Sequence, residues 1–183
     1  MKYLISFLMA FTSLFAQKEP ASVTESFKLV NDLNAAENKA AIYMCREVNG
    51  FWDDYLTEPK ADDEIGKIKF QKRIDTIVKY IGGNVAAWKK SLPFIESWQP
   101  RVKAKEFVSY RNLDINDFYN KHNRAGVYLY SLPLFDATRT KALIYVWYVS
   151  AYNVILDNYY YCEKANGVWK RKNIVLVGGF NNY

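Results

Sequence analysis

One histidine, two cysteines and a scatter of carboxylates bound the chemistry open to this 183-residue chain. Catalysis through an imidazole has only His122 to use. That residue lies in the polar stretch Asn120-Lys121-His122-Asn123-Arg124, a loop setting that suits either a solvated ring or an active residue. Ser131 is the hydroxyl such a base would activate, although its place between Tyr130 and Leu132 equally suits an ordinary hydroxyl on a sheet face. Asp114 and Asp117 are the carboxylates that could act as acid and base beside it. Glycosidic cleavage requires two such groups about 5–9.5 Å apart across a cleft. The catalytic candidates are therefore His122, Asp114, Asp117 and Ser131, set against a reading with no catalytic residue.

Other chemistries lack their motifs. The chain has no G-x-S-x-G elbow, no phosphate-cradling G-x-x-x-x-G-K-[ST], no G-x-G-x-x-G and no H-E-x-x-H. One His and two Cys cannot supply a zinc site built on several such ligands, or a four-cysteine cluster. Asp53-Asp54 and Asp62-Asp63-Glu64 lack the alternating ligand pattern of a calcium loop and read as solvated acidic turns. We expect no metal and no cofactor.

Cys45 and Cys162 allow one internal disulfide, which an exported protein could form. It would contribute about 4–5 kcal/mol by closing a long loop. Two separate buried thiols are the equal alternative.

Aromatic residues, 17% of the chain, are the unusual feature. Tyr128, Tyr130, Phe135, Tyr145, Trp147, Tyr148, Tyr152, Tyr159, Tyr160 and Tyr161 crowd one stretch. Tyr and Trp offer contact area together with a polar edge, which suits a recognition face for sugar rings or a protein. The ligand-binding candidates are Tyr128, Tyr130, Tyr145, Trp147, Tyr160 and Trp169. The same rings also serve plain sheet packing. The basic run Lys170-Arg171-Lys172 reads as a cation–π partner or, preferably, as a guard on a sheet edge.

The elements that must position these groups follow a leader. Met1-Lys2 and the uncharged run Tyr3 to Ala16 suit a secretory signal over residues 1–16, too short to span a bilayer comfortably. No integral membrane segment is expected after its removal. The remainder carries 24 basic and 19 acidic side chains, lowering the net charge from +6 to +5. In an exported protein, periplasmic or extracellular, this points away from nucleic acid and towards a protein or glycan of the cell envelope, if it exceeds ordinary solubility charge.

Residues 17–183 read as one α+β domain, helical over 24–99 and β over 105–180. A first helix runs from Thr24 towards Met44, with Asn49-Gly50 as its stop. Residues 51–64 form a loop or broken helix. A second helix begins near Asp63 and ends at Gly82-Gly83. Asn84 caps a third, which Pro93 kinks or splits before Trp98. A short strand follows over 105–110, and 113–123 is polar and irregular. Strands over 126–132, 141–150, 157–163 and 168–177 form an antiparallel meander, and Asn166-Gly167 signals a tight hairpin. Both faces of 141–150 are apolar, so this strand is central. We expect about three helices on one face of a four- or five-stranded sheet, leaving an aromatic face exposed or covered by loops.

The segments Tyr130-Ser131-Leu132-Pro133-Leu134-Phe135-Asp136, Thr140 to Val146 and Asn166-Gly167-Val168-Trp169-Lys170 resemble small exported bacterial proteins of uncharacterised function with a C-terminal antiparallel meander. The resemblance implies a secreted or periplasmic domain and transfers no catalytic residue. Two functions follow from the whole reading. One is an exported, non-catalytic binding module, for example an inhibitor or immunity-type protein of the periplasm. The other is a small hydrolase of envelope polymers using His122 with a nearby Asp or Ser.

Overall fold

The computed structural model describes residues 19–36, 42–48, 50–150 and 155–175; the expected leader lies outside them. In chain order the elements are α1 (Ala21–Ala36), β1 (Tyr43–Cys45), α2 (Phe51–Tyr55), α3 (Glu64–Ile81), α4 (Val85–Ser91), β2 (Glu106–Val108), α5 (Ile115–Lys121), β3 (Val127–Tyr130), β4 (Leu134–Phe135), β5 (Lys141–Val149), β6 (Ile155–Ala165) and β7 (Val168–Val175). The strands form one mixed, mostly antiparallel sheet of order β2-β1-β3-β5-β6-β7, with β4 also on β5. The class is α+β as expected, with five α-helices rather than three among the described residues.

Local signals account for most boundaries. The Asp63 carboxylate accepts from the Gly66 amide and starts α3, and the Asn84 side chain does the same for α4 through Ala87. Helix α4 stops at Ser91 because Leu92, just before Pro93, is pushed out of helical geometry. Trp98 is therefore not on a kinked helix but buried in the loop beyond. The Asp114 carboxylate accepts from the Asn116 and Asp117 amides, so the polar stretch expected to be irregular forms α5 instead. Asn166 and Gly167 both have positive φ, the backbone a two-residue hairpin requires.

Two expectations are corrected. The first helix ends at Ala36, and Tyr43–Cys45 is a strand paired in parallel with both β2 and β3. Three apolar residues carry no readable period, and both partners lie far along the chain. The four expected strands are antiparallel neighbours in the order β3-β5-β6-β7, and the sheet, seven-stranded rather than four- or five-stranded, continues beyond β3 into this parallel insertion.

The second correction concerns the layers. β5 is central, and its two apolar faces are both covered by helices. On one face α1 places Phe27, Val30 and Leu33 against Ile144, Val146, Cys162 and Trp169. On the other, Trp52, Tyr55, Ile77, Ile81 and Trp88 pack on Leu143, Tyr145, Tyr159 and Tyr161. Farther along that second face, Phe118 of α5 closes over Tyr43, Cys45, Val127 and Leu129. Burying rings and aliphatic side chains on both sides of one strand is what a continuous apolar run demands.

Candidate functional site

The four catalytic candidates are not assembled. His122 caps the C-terminal end of α5, with its Nδ1 3.1 Å from the Tyr43 hydroxyl and its ring stacked on Phe118. Asp114 caps the opposite end of the same helix, and Asp117 pairs with Lys121 at 2.7 Å. Ser131 is fully buried. Its Oγ accepts from the Tyr145 amide at 3.0 Å and donates to the Leu132 carbonyl at 2.8 Å, completing the ladder where the chain bends towards Pro133. The one hydrogen bond within the set is the helix cap from the Asp117 backbone amide to the Asp114 carboxylate; among the described residues no side chain of the four is bonded to the side chain of another. Among the described residues no group of three or more His, Cys, Asp or Glu is placed to hold a metal ion.

The two cysteines are free and buried. Cys45 on β1 and Cys162 on β6 lie three strand positions apart and face opposite sides of the sheet. Three strand spacings alone separate their backbones by at least about 14 Å, beyond the reach of a disulfide. The disulfide alternative is thus replaced by two packed thiols. Burial pushes both thiols up to about 12, with the Glu47 charge adding to the effect at Cys45.

The six ring candidates divide by burial. Tyr130, Tyr145 and Trp169 are core residues. Tyr145 stacks on Phe51 with ring centres 4.2 Å apart, and the Tyr130 hydroxyl donates to Asn34. The Trp169 indole donates to Glu25 at 3.0 Å. Tyr128, Trp147 and Tyr160 are half-buried: Tyr128 packs against Tyr148, Trp147 against Tyr110, and Arg171 sits over the Tyr160 ring. The aromatic wealth therefore serves two cores more than one open face.

Trp169 lines one open cleft of about 630 Å³ with Leu33, Ala36 and Arg171, and a second concavity is built without any of the six rings. A cleft of about 460 Å³ opens where the α3–α4 corner meets the β4–β5 turn. Ile81, Ala87, Trp88 and Phe135 give it apolar walls, Ser22 of α1 and Ser91 add hydroxyls, and Ala137 and Arg139 stand at the turn. The corner exists because Gly82 and Gly83 both adopt positive φ, which side-chain-bearing residues rarely tolerate. The Trp88 indole N–H is already occupied, donating to the Gly82 carbonyl at 2.9 Å.

The turn has an asymmetric charge distribution. The Asp136 carboxylate accepts from the amides of Thr140 and Lys141 at 2.7 and 2.8 Å and from the hydroxyls of Thr138 and Thr140. Burial works against its charge, but these donors outweigh it and hold the carboxyl below the usual range. Arg139 has no side-chain hydrogen bond or ion pair among the described residues, is exposed, and sits at φ 55°. Glycine fits such a turn position with less strain than any side chain. Phe135 belongs to the crowded aromatic stretch of the sequence and Gly82-Gly83 reads as a helix stop, but nothing marks their convergence with Trp88. The arginine in the Asp-Ala-Thr-Arg-Thr turn is the one sequence signal that could have pointed here.

No protein-family model, curated protein or solved structure matches the chain. Among the described residues no helix is long and apolar enough to cross a membrane.

Proposed function

We propose that the protein is an exported, non-catalytic binding module that takes its ligand in the cleft between the α3–α4 corner and the β4–β5 turn. The observation that carries this reading is the cleft itself: about 460 Å³ with apolar walls and one unpaired guanidinium at the rim. Concave, mostly apolar sites with a few polar groups to orient the guest are the usual form of small-molecule pockets. Export is supported by residues 1–16 as a sequence pattern. The placement of His122, Asp114, Asp117 and Ser131 in separate structural contacts gives the hydrolase reading no support. A protein or glycan partner meeting the chain through the six rings is less favoured, because three of them are in the core.

Native mass spectrometry of the purified protein, incubated with a cell-envelope extract, tests the reading. The wild type and His122→Ala are expected to carry a bound small molecule. Ala87→Trp, which fills the cleft from an exposed helical position, is expected to lose it. Turnover of an envelope polymer by the wild type, abolished in His122→Ala, would overturn the proposal.

A further inference from the structure

We infer that the cleft is built for one chemical class, a small apolar molecule ending in a single carboxylate, such as a free medium-chain fatty acid. The inference rests on the binding reading above and specifies its ligand.

The walls select the body of the guest. Ile81, Ala87, Trp88, Phe135 and Ala137 offer carbon surface. The two aromatic side chains are held rigidly, Trp88 by its bond to Gly82 and Phe135 by β4 and by contact with Trp169. An apolar chain laid against rigid carbon walls gains burial without ordering the protein further. A cavity of this size holds a small molecule, not a folded partner.

The rim selects the head. Among the described residues Arg139 is the one cation lining the cleft, and the one carboxylate beside it, Asp136, is occupied by four donors from Thr138, Thr140 and Lys141. Asp136 keeps its charge, but its oxygens are taken up by these donors, so the free hydrogen-bonding capacity at the mouth is that of the guanidinium. Ser22, in the first turn of α1, brings the electropositive end of that helix to the same side. A planar guanidinium matches one carboxylate in a two-bond fork. The position of Arg139 strengthens the argument. The left-handed backbone at φ 55° is costly for any residue with a Cβ, and the side chain lies at the mouth of the cleft.

Calorimetric titration of the full chain with decanoate and with decanol, below their aggregation limits, tests the assignment. Decanoate is expected to bind saturably at one site and more tightly than decanol, with the advantage shrinking as salt is added. Arg139→Gln should weaken decanoate by about three- to fivefold, the scale of an exposed ion pair, and leave decanol unchanged. Ala87→Trp and Ala137→Trp, each with an unaltered circular dichroism spectrum, should abolish both. Equal affinity for acid and alcohol, or decanoate binding that survives both tryptophan variants, would overturn it. So would tighter binding of an N-acetyl peptide ending in Phe, which would assign the cleft to protein C-termini. If decanoate fails while an envelope molecule still binds in an Ala87-dependent manner, this ligand assignment falls and the binding reading stands.

Discussion

Asp136 and Arg139 occupy one turn, carry opposite charges and form no ion pair. The carboxylate is turned inward onto Thr138, Thr140 and Lys141, while the guanidinium is left at the rim of the α3–α4 cleft. One residue builds the turn and the other is available to a ligand. Under the proposed function this division separates stability from ligand binding at neighbouring positions.

Replacing Arg139 with Gly should therefore stabilise the protein while impairing it. Glycine relieves the φ 55° strain, a gain of about 1 kcal/mol, and removes the only cation lining the cleft among the described residues. Thermal unfolding should shift upward while decanoate affinity falls at least as far as in Arg139→Gln. A lower melting temperature would show that the side chain supports the turn, contrary to the account.

Asp136 makes the turn acid-sensitive. Its carboxyl is depressed in the folded state, so its stabilisation is fully present above the ordinary Asp value of about 3.9 and is lost as pH falls through the lower folded value. The melting temperature of Asp136→Asn should lie below that of the wild type near neutral pH, and the gap should close as pH falls below the ordinary Asp range. A gap that persists unchanged in acid would contradict the assigned role.

The hairpin is clamped to α1 by two carboxylates seven residues apart. Glu25 accepts from the Trp169 indole and from Lys164, and Asp32 accepts from the Trp169 backbone amide at 2.8 Å. Removing Glu25 as Glu25→Ala leaves a buried indole N–H and an ammonium without their acceptor. The expected loss is about 1–3 kcal/mol, read by urea unfolding with an unchanged slope. A loss below a few tenths of a kcal/mol would show that the clamp is decorative.

How much of this was readable in advance depended on the range of the signal. Capping by Asp63 and Asn84, the Asn166-Gly167 turn and the two-faced apolar run of β5 are local, and the sequence displays them directly. Tyr43–Cys45 misread as helix because a three-residue strand declares itself only through β2 and β3, distant in the chain. The rings misled for a related reason: Trp52, Trp88, Trp98 and Trp169 all direct indole N–H groups at backbone or carboxylate acceptors, which suits them to a core that composition alone cannot distinguish from a wet face. The cleft was invisible because its walls come from α1, α3, α4 and the β4–β5 turn, and only folding brings them together.

The thiols provide an independent check on that topology. With Cys45 and Cys162 buried on opposite sheet faces and their protonation favoured up to about 12, a disulfide reagent at pH 8 should find no reactive thiol in the native protein. Both should react after denaturation without reductant. Failure of either to react in the denatured chain would indicate a bond the fold forbids.

The most direct test of the central claim is amide chemical-shift mapping of the isotopically labelled protein during titration with decanoate. The account predicts saturable shifts clustered at Gly82, Gly83, Ala87, Ala137 and Arg139. Shifts centred instead on Tyr128, Trp147 and Tyr160, or no saturable shift at all, would contradict it.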